Sequence, residues 1–181
     1  MSTNSQDNVW KVAGEAASYT DTEMLERCRN ILSQNSPNGF EVGVGTDSQL
    51  IKNVFQFVTV VSIWNRGKGG FYFYKMEYHP RSNFPPKSQK LRMFEEVSKS
   101  IATAVLVEEN LQLKPTVHID ASAANKAAFT SAFSEQLTGY AVSSGFEALS
   151  KPYSWIASAI GDRHTKRKMR PDVKVIDKDT K

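Results

Sequence analysis

The spacing of apolar and polar positions changes several times along the chain, and each change marks an element. Residues 20–34, TDTEMLERCRNILSQ, place Met24, Leu25, Ile31 and Leu32 at helical spacing behind two capping residues, Thr20 and Asp21, with Glu23 and Glu26 early. The stretch NSPNG then stops that helix. Three runs rich in β-branched and aromatic residues follow: FEVGVGTD at 40–47, VFQFVTVVSIW at 54–64 and GFYFYKMEYH at 70–79. Their short connectors, SQLIKN and NRGKGG, predict an antiparallel meander. HPRSNFPP breaks the pattern with Pro80, Pro85 and Pro86. From about Lys87 to Asn110 the period is helical again, through Phe94, Val97, Ile101, Ala104 and Val105. LKPTVHID reads as a short strand, ASAANKAAFTSAFSEQLTG as a helix stopped by Gly139, and YAVSSGF as a brief strand. The last pattern, PYSWIASAIGDRHTKRKM, predicts a helix with Pro152 in its first turn.

A meander followed by strand–helix–strand units predicts an α/β fold: a five-stranded mixed sheet, three strands antiparallel, with helices on both faces. No internal repeat or linker divides the chain. It reads as a disordered lead over 1–19, one domain over 20–168 that includes an extra N-terminal helix, and a charged tail over 169–181.

Composition sharpens this picture in three respects. With 181 residues, 40% apolar and 23% charged, the chain has enough material for one core. Its apolar runs all fall short of the ~20 residues that a membrane span requires. The polar start MSTNSQDNVW has no export pattern, and the single Cys28 has neither a disulfide partner nor a CxxC companion, so a cytoplasmic location is expected. Charge is uneven: residues 151–181 hold 9 Lys and Arg against 4 acidic residues, whereas residues 1–150 hold 14 against 15. A cationic end suits a polyanionic partner, nucleic acid first, and a solvated tail is the plainer alternative.

Candidate chemistry begins with FEVGVGTDSQ, where an apolar strand runs into Asp47. An unpaired carboxylate in a core costs several kcal/mol, so Asp47 belongs at an open strand end or beside a cation. Alternation sets Glu41, Gly43, Gly45 and Asp47 on one face, where the glycines leave room for an ion or a close backbone. Asp120 ends another apolar strand, and if the two strands are neighbours both carboxylates meet at one edge. Two such anions repel unless a proton or a cation intervenes, and carboxylates with few thiols or imidazoles favour Mg²⁺ or Mn²⁺ over zinc. Asp162 could add a further ligand, and Glu95 or Glu96 a fourth. Each acid also has an ordinary use: Asp47 as a turn former, Asp120 as a helix cap, Asp162 as an i,i+4 partner of Lys166.

Other residues stay open between chemistry and structure. His164 is a candidate proton shuttle or a helix-surface residue. His118 reads as a hydrogen-bonded core group and His79 as a loop residue. Lys126 and Asn125 could approach a phosphate at a helix N-terminus or simply be solvated. Tyr72, Tyr74 and Tyr78 share a strand face that could stack on bases but suits a core.

The order of GTDSQ, MFEEV, HIDAS and GDRHTK resembles the ribonuclease H-like superfamily. GTDSQ, HIDAS and KPYSWIASAIGDRHTK look like its uncharacterised bacterial YkuK-like family. The resemblance covers about residues 40–168 and implies a βββαβαβα core with catalytic, metal-binding Asp47, Glu96, Asp120 and Asp162. It further implies phosphodiester hydrolysis in RNA, DNA or a hybrid by two metal ions, with Arg163, Lys166, Arg167, Lys168 and Arg170 near the phosphates. It also draws attention to Lys151 as a nucleic-acid contact. Asp47-Ser48-Gln49 departs from the Asp-Gly-Ser usual in these enzymes. A non-catalytic nucleic-acid-binding or interaction module on the same fold is the alternative. An ATP-dependent phosphotransferase is disfavoured, because no glycine-rich phosphate loop follows Asp47 or Asp120.

Overall fold

The computed structural model describes residues 9–34, 39–85, 88–122, 131–156, 160 and 164. In chain order their elements are β1 (Trp10–Val12), β2 (Ser18–Tyr19), α1 (Asp21–Leu32), β3 (Phe40–Ile51), β4 (Val54–Asn65) and β5 (Gly69–Pro80). A 3₁₀ turn at Arg81–Asn83 leads to α2 (Gln89–Leu111), β6 (Thr116–Ser122), α3 (Ser131–Ser143) and β7 (Ala148–Lys151). The strands form one mixed sheet in the order β2-β1-β5-β4-β3-β6-β7. The β3–β6 and β6–β7 pairs are parallel, and the others are antiparallel.

Local chemistry explains the elements. Thr20 and Glu23 close a reciprocal capping box on α1, which buries Met24, Leu25 and Cys28. Helix α2 buries Met93, Val97, Ile101, Ala104 and Val107 along one stripe and stops where Gln112 turns left-handed, at φ 56°. These residues join Val44, Val61, Phe73, Val117, Leu137 and Ala141 in the main core, so the three described helices share one face of the sheet. Burial of that apolar area is the main force holding the layers together. The opposite face carries a smaller cluster of Val58, Val60, Tyr74 and Ile156, with Trp155 and Ile160 packed against it. The backbone is helical at Ile156, Ile160 and His164, which follow one another at four-residue steps. Gly43 permits this close approach, since a Cβ there would stand 2.4 Å from Ile156 Cδ1 and 3.0 Å from the His118 ring.

The structure departs from the sequence expectations in particular places. The described part of the expected disordered lead contains β1 and β2, anchored by fully buried Trp10, whose Nε1 donates to Asp21 Oδ1 at 2.6 Å. The sheet therefore has seven strands among the described residues rather than five. Strand β3 does not stop at Asp47 but runs to Ile51, and only Lys52 and Asn53 connect it to β4. Lys52 takes the positive φ (57°) that this tight link requires. Helix α3 passes through Gly139 to Ser143, so Tyr140–Ser143 is helical; Gly145, at φ 94°, follows the helix, and the strand begins at Ala148. Pro152 lies in a turn after a cis Lys151–Pro152 bond rather than in a helical turn. His79 is a buried β5 residue, not a loop residue.

Candidate metal centre

Strands β3 and β6 pair only over three rungs: Gly43 with Thr116, Val44 with Val117 and Gly45 with His118. Beyond them β6 becomes irregular, with a shift in register against β7 between His118 and Ser122. Asp47 and Asp120 each stand two residues past the last rung, in the mouth of the gap that opens where the strands part. Alternation puts Asp47 on the face of Gly43, away from α2. Ile119 and Ala121 belong to the helical-face core, which leaves Asp120 on the same side as Asp47. The sequence anticipated this shared edge, and its physical basis is the loss of pairing with β6 rather than the end of β3.

Glu96 comes from α2 on the other face. Only 7% exposed, it accepts a hydrogen bond from Ser48 Oγ at 2.5 Å and one from Arg92 Nη1 at 2.8 Å. Arg92 also donates to Ser48 Oγ at 2.6 Å and to the Ser48 carbonyl at 3.1 Å, clamping α2 onto β3. Burial raises the Glu96 carboxyl to about 8, against the opposing pull of Arg92 and the Ser48 hydroxyl, and the negative charges of Asp47 and Asp120 push the same way as burial. Glu95, one position earlier, turns instead toward Lys99, with Nζ 3.7 Å from its Oε1.

Asp120 faces Lys151, whose backbone is held beside Ser122 by the β6–β7 pairing. Its buried Oδ1 makes no aligned hydrogen bond within the protein even though the ammonium is adjacent. Among the described residues no three His, Cys, Asp or Glu side chains close on a common point at metal-holding separation. The described acids are instead drawn toward neighbours, Asp120 to Lys151 and Glu96 to Arg92 and Ser48. The donor chemistry nonetheless fits a hard divalent cation: it is all oxygen, and the buried Asp120 Oδ1 makes no aligned hydrogen bond.

The other candidates separate cleanly. His164 is fully buried, stacked on Tyr74 with ring centroids 3.7 Å apart, and its Nε2 lies 3.2 Å from Tyr72 Oη. These contacts are on β5, so β4 separates the imidazole from β3, and its position is a packing one. Tyr74 and Tyr78 are buried in agreement with their core reading. His118 accepts a hydrogen bond from the Trp155 N–H at 3.3 Å, and burial lowers it to about 4, which keeps it neutral. Asp162, Lys126, Arg163, Lys166, Arg167, Lys168 and Arg170 lie outside the described residues. Sequence reasoning missed the roles of Ser48 and Arg92. Arg92 is legible as the i−4 neighbour of Glu96, whereas in the sequence Ser48 stands only as a departure from a motif.

A mixed sheet with an antiparallel meander, parallel β6 and β7 beside it, and helices packed on its face defines an α/β protein. The family comparison agrees: the ribonuclease H-like family model matches residues 23–166, and the chain belongs to the ribonuclease H-like family. It is 25% identical over 166 residues to the uncharacterised protein YkuK of Bacillus subtilis strain 168, covering 83% of this chain and 93% of that protein. No solved structure matches the chain significantly. Among the described residues, no helix is long and apolar enough to cross a membrane.

Proposed function

We propose that this protein is a divalent-metal-dependent nuclease that hydrolyses phosphodiester bonds in RNA, DNA or a hybrid. The observation that carries the reading is that Asp47 and Asp120 share one face of the sheet, each two residues past the last β3–β6 rung, in a chain of the ribonuclease H-like family. Asp47 and Asp120 are the residues that would hold Mg²⁺ or Mn²⁺, with Glu96 beside them and Asp162 as a further ligand. When bound, the metal supplies a hydroxide from water and stabilises charge on the leaving oxygen. The chain's own contribution is positioning. Arg92 and Ser48 fix the Glu96 carboxyl, the buried neutral His118 packs behind Gly43, and the basic residues from Arg163 to Arg170 attract phosphate.

The test is cleavage of labelled RNA, DNA and hybrid duplexes with Mg²⁺, Mn²⁺ or chelator, for the wild type and Asp47→Asn. Metal-dependent cutting that falls at least about a hundredfold in Asp47→Asn supports the reading. Retention of nucleic acid without cutting under any metal condition overturns it in favour of a binding module.

A further inference from the structure

Resting on the nuclease reading for the identity of the polymer, we infer that an aromatic groove on the sheet face of Asp47 takes an unpaired nucleobase of the substrate, so that the preferred substrate is a single strand. The groove is a cavity of about 430 Å³ lined by Ser62, Trp64, Gly70, Tyr72, Trp155 and Ile160. Contacts within the protein fix its walls. Trp64 and Trp155 meet edge to face with ring centroids 6.0 Å apart, and the Trp155 N–H donates to His118 Nδ1 at 3.3 Å. Tyr72 is held by His164, whose Nε2 lies 3.2 Å from its Oη. Gly70, the rung partner of Trp64, leaves the indole uncovered: a Cβ there would stand 3.3 Å from Trp64 Cδ1. Rings ordered in advance lose little freedom when a flat ligand stacks on them.

Shape, charge and position together select a base of a nucleic acid. Base–aromatic stacking suits such walls and tolerates any base, since every base has a π-face. The rim is cationic, because the β4–β5 hairpin carries exposed Arg66 and Lys68, and the Arg66 guanidinium lies 5.9 Å from the Trp64 ring centre. Glu41 accepts from Arg66 Nε at 2.6 Å and offsets one of these two charges, which leaves a net positive charge beside the indole for a phosphate. Trp64 pairs with Glu41, six residues before Asp47 on the same face of β3. At ~3.3 Å per residue the groove lies about 20 Å from the acids along the sheet, or about six nucleotides at the ~3.4 Å rise of a stacked strand. A base held there sets the register of the strand and takes no part in the chemistry. Duplex bases are paired and stacked within the helix, so an unpaired base is the one that enters.

The test measures binding in EDTA, where metal-dependent cutting plays no part. Fluorescently labelled oligothymidylate, oligouridylate, a blunt-ended DNA duplex and a deoxyribose strand without bases are titrated by anisotropy into the wild type, Trp64→Leu and Trp155→Leu, with circular dichroism recorded on each protein. At least one of the two single strands is expected to bind the wild type at least about tenfold tighter than both the abasic strand and the duplex, and each folded tryptophan variant to lose most of that preference. The wild-type comparison needs no variant, so a misfolded variant does not blunt it. Abasic and base-bearing strands of equal affinity, a duplex that binds as tightly as the single strands, or a preference intact in both folded variants overturns the inference and leaves the nuclease reading standing. A base preference in a protein that cuts no substrate under any metal condition supports the groove and overturns the nuclease reading alone.

Discussion

Two glutamates lie between α2 and the sheet, and their environments drive them in opposite directions. Glu77, on β5, is opposed by its own burial, but His79 and Lys99, with Lys75 behind them, outweigh that burial and hold its carboxyl at about 2. Lys99 forms an ion pair with it from α2, and His79 Nε2 stands 3.6 Å from its Oε2. Glu96 also has a cationic partner, Arg92, yet burial together with Asp47 and Asp120 leaves it at about 8. A buried acid outnumbered by cations ties elements together. One whose single cation is outweighed by burial, with further acids pushing the same way, keeps its proton instead.

Breaking the first network should have the largest effect. Lys99→Met strands Glu77 in a buried position and is expected to cost about 3 kcal/mol at pH 7, measured by urea unfolding. Next comes the contrast in pH dependence. The Glu77 carboxyl lies below its unfolded value of 4.5, so its stabilising contribution is complete above that pH and disappears as pH falls toward 2. Glu96 has the opposite sign. Its folded value lies above 4.5, so the folded state holds the extra proton, and stability declines as pH rises from about 4.5 through 8. In metal-free buffer Glu96→Gln is therefore expected to be more stable than the wild type at pH 8 by more than about 1 kcal/mol, with little gain at pH 4. Glu77→Gln should destabilise at pH 7 and become harmless near pH 2.

Smaller effects sharpen the same comparison. Asp120→Asn removes one like charge and should shift the Glu96 titration downward in carboxyl NMR. Ser48→Ala removes a hydrogen bond to the ionised form and should move it up. An unchanged Glu96 titration in both variants would separate it from the aspartates.

Much of this arrangement was legible in the sequence because periodicity reports burial directly. The meander, α2 and the position of Asp120 on a short strand followed from apolar spacing, and Glu96 followed from the motif order. What was hidden depends on partners far away in the chain. The three residues of β1 are too few to show alternation and gain their meaning from pairing with Phe73–Lys75 of β5. The polar run Thr46–Gln49 resembles a turn until Thr46 is seen bonded to Thr59 and Ser100, and Ser48 to Glu96. Gly139 looked like a helix stop, but α3 is carried past it by the burial of Leu137 and Ala141 on either side. His164 looked like surface chemistry because no local pattern reveals a stacking partner on β5.

The central claim is that Asp47, Glu96 and Asp120 serve one cation, and a Mg²⁺ titration followed in the two-dimensional amide NMR spectrum tests it most directly. The account predicts that signals around all three residues shift together along one binding curve, and that Asp47→Asn removes the shifts at Glu96 and Asp120 as well. Separate curves for the three positions, or shifts confined to the Glu77 and Lys99 region, would contradict it.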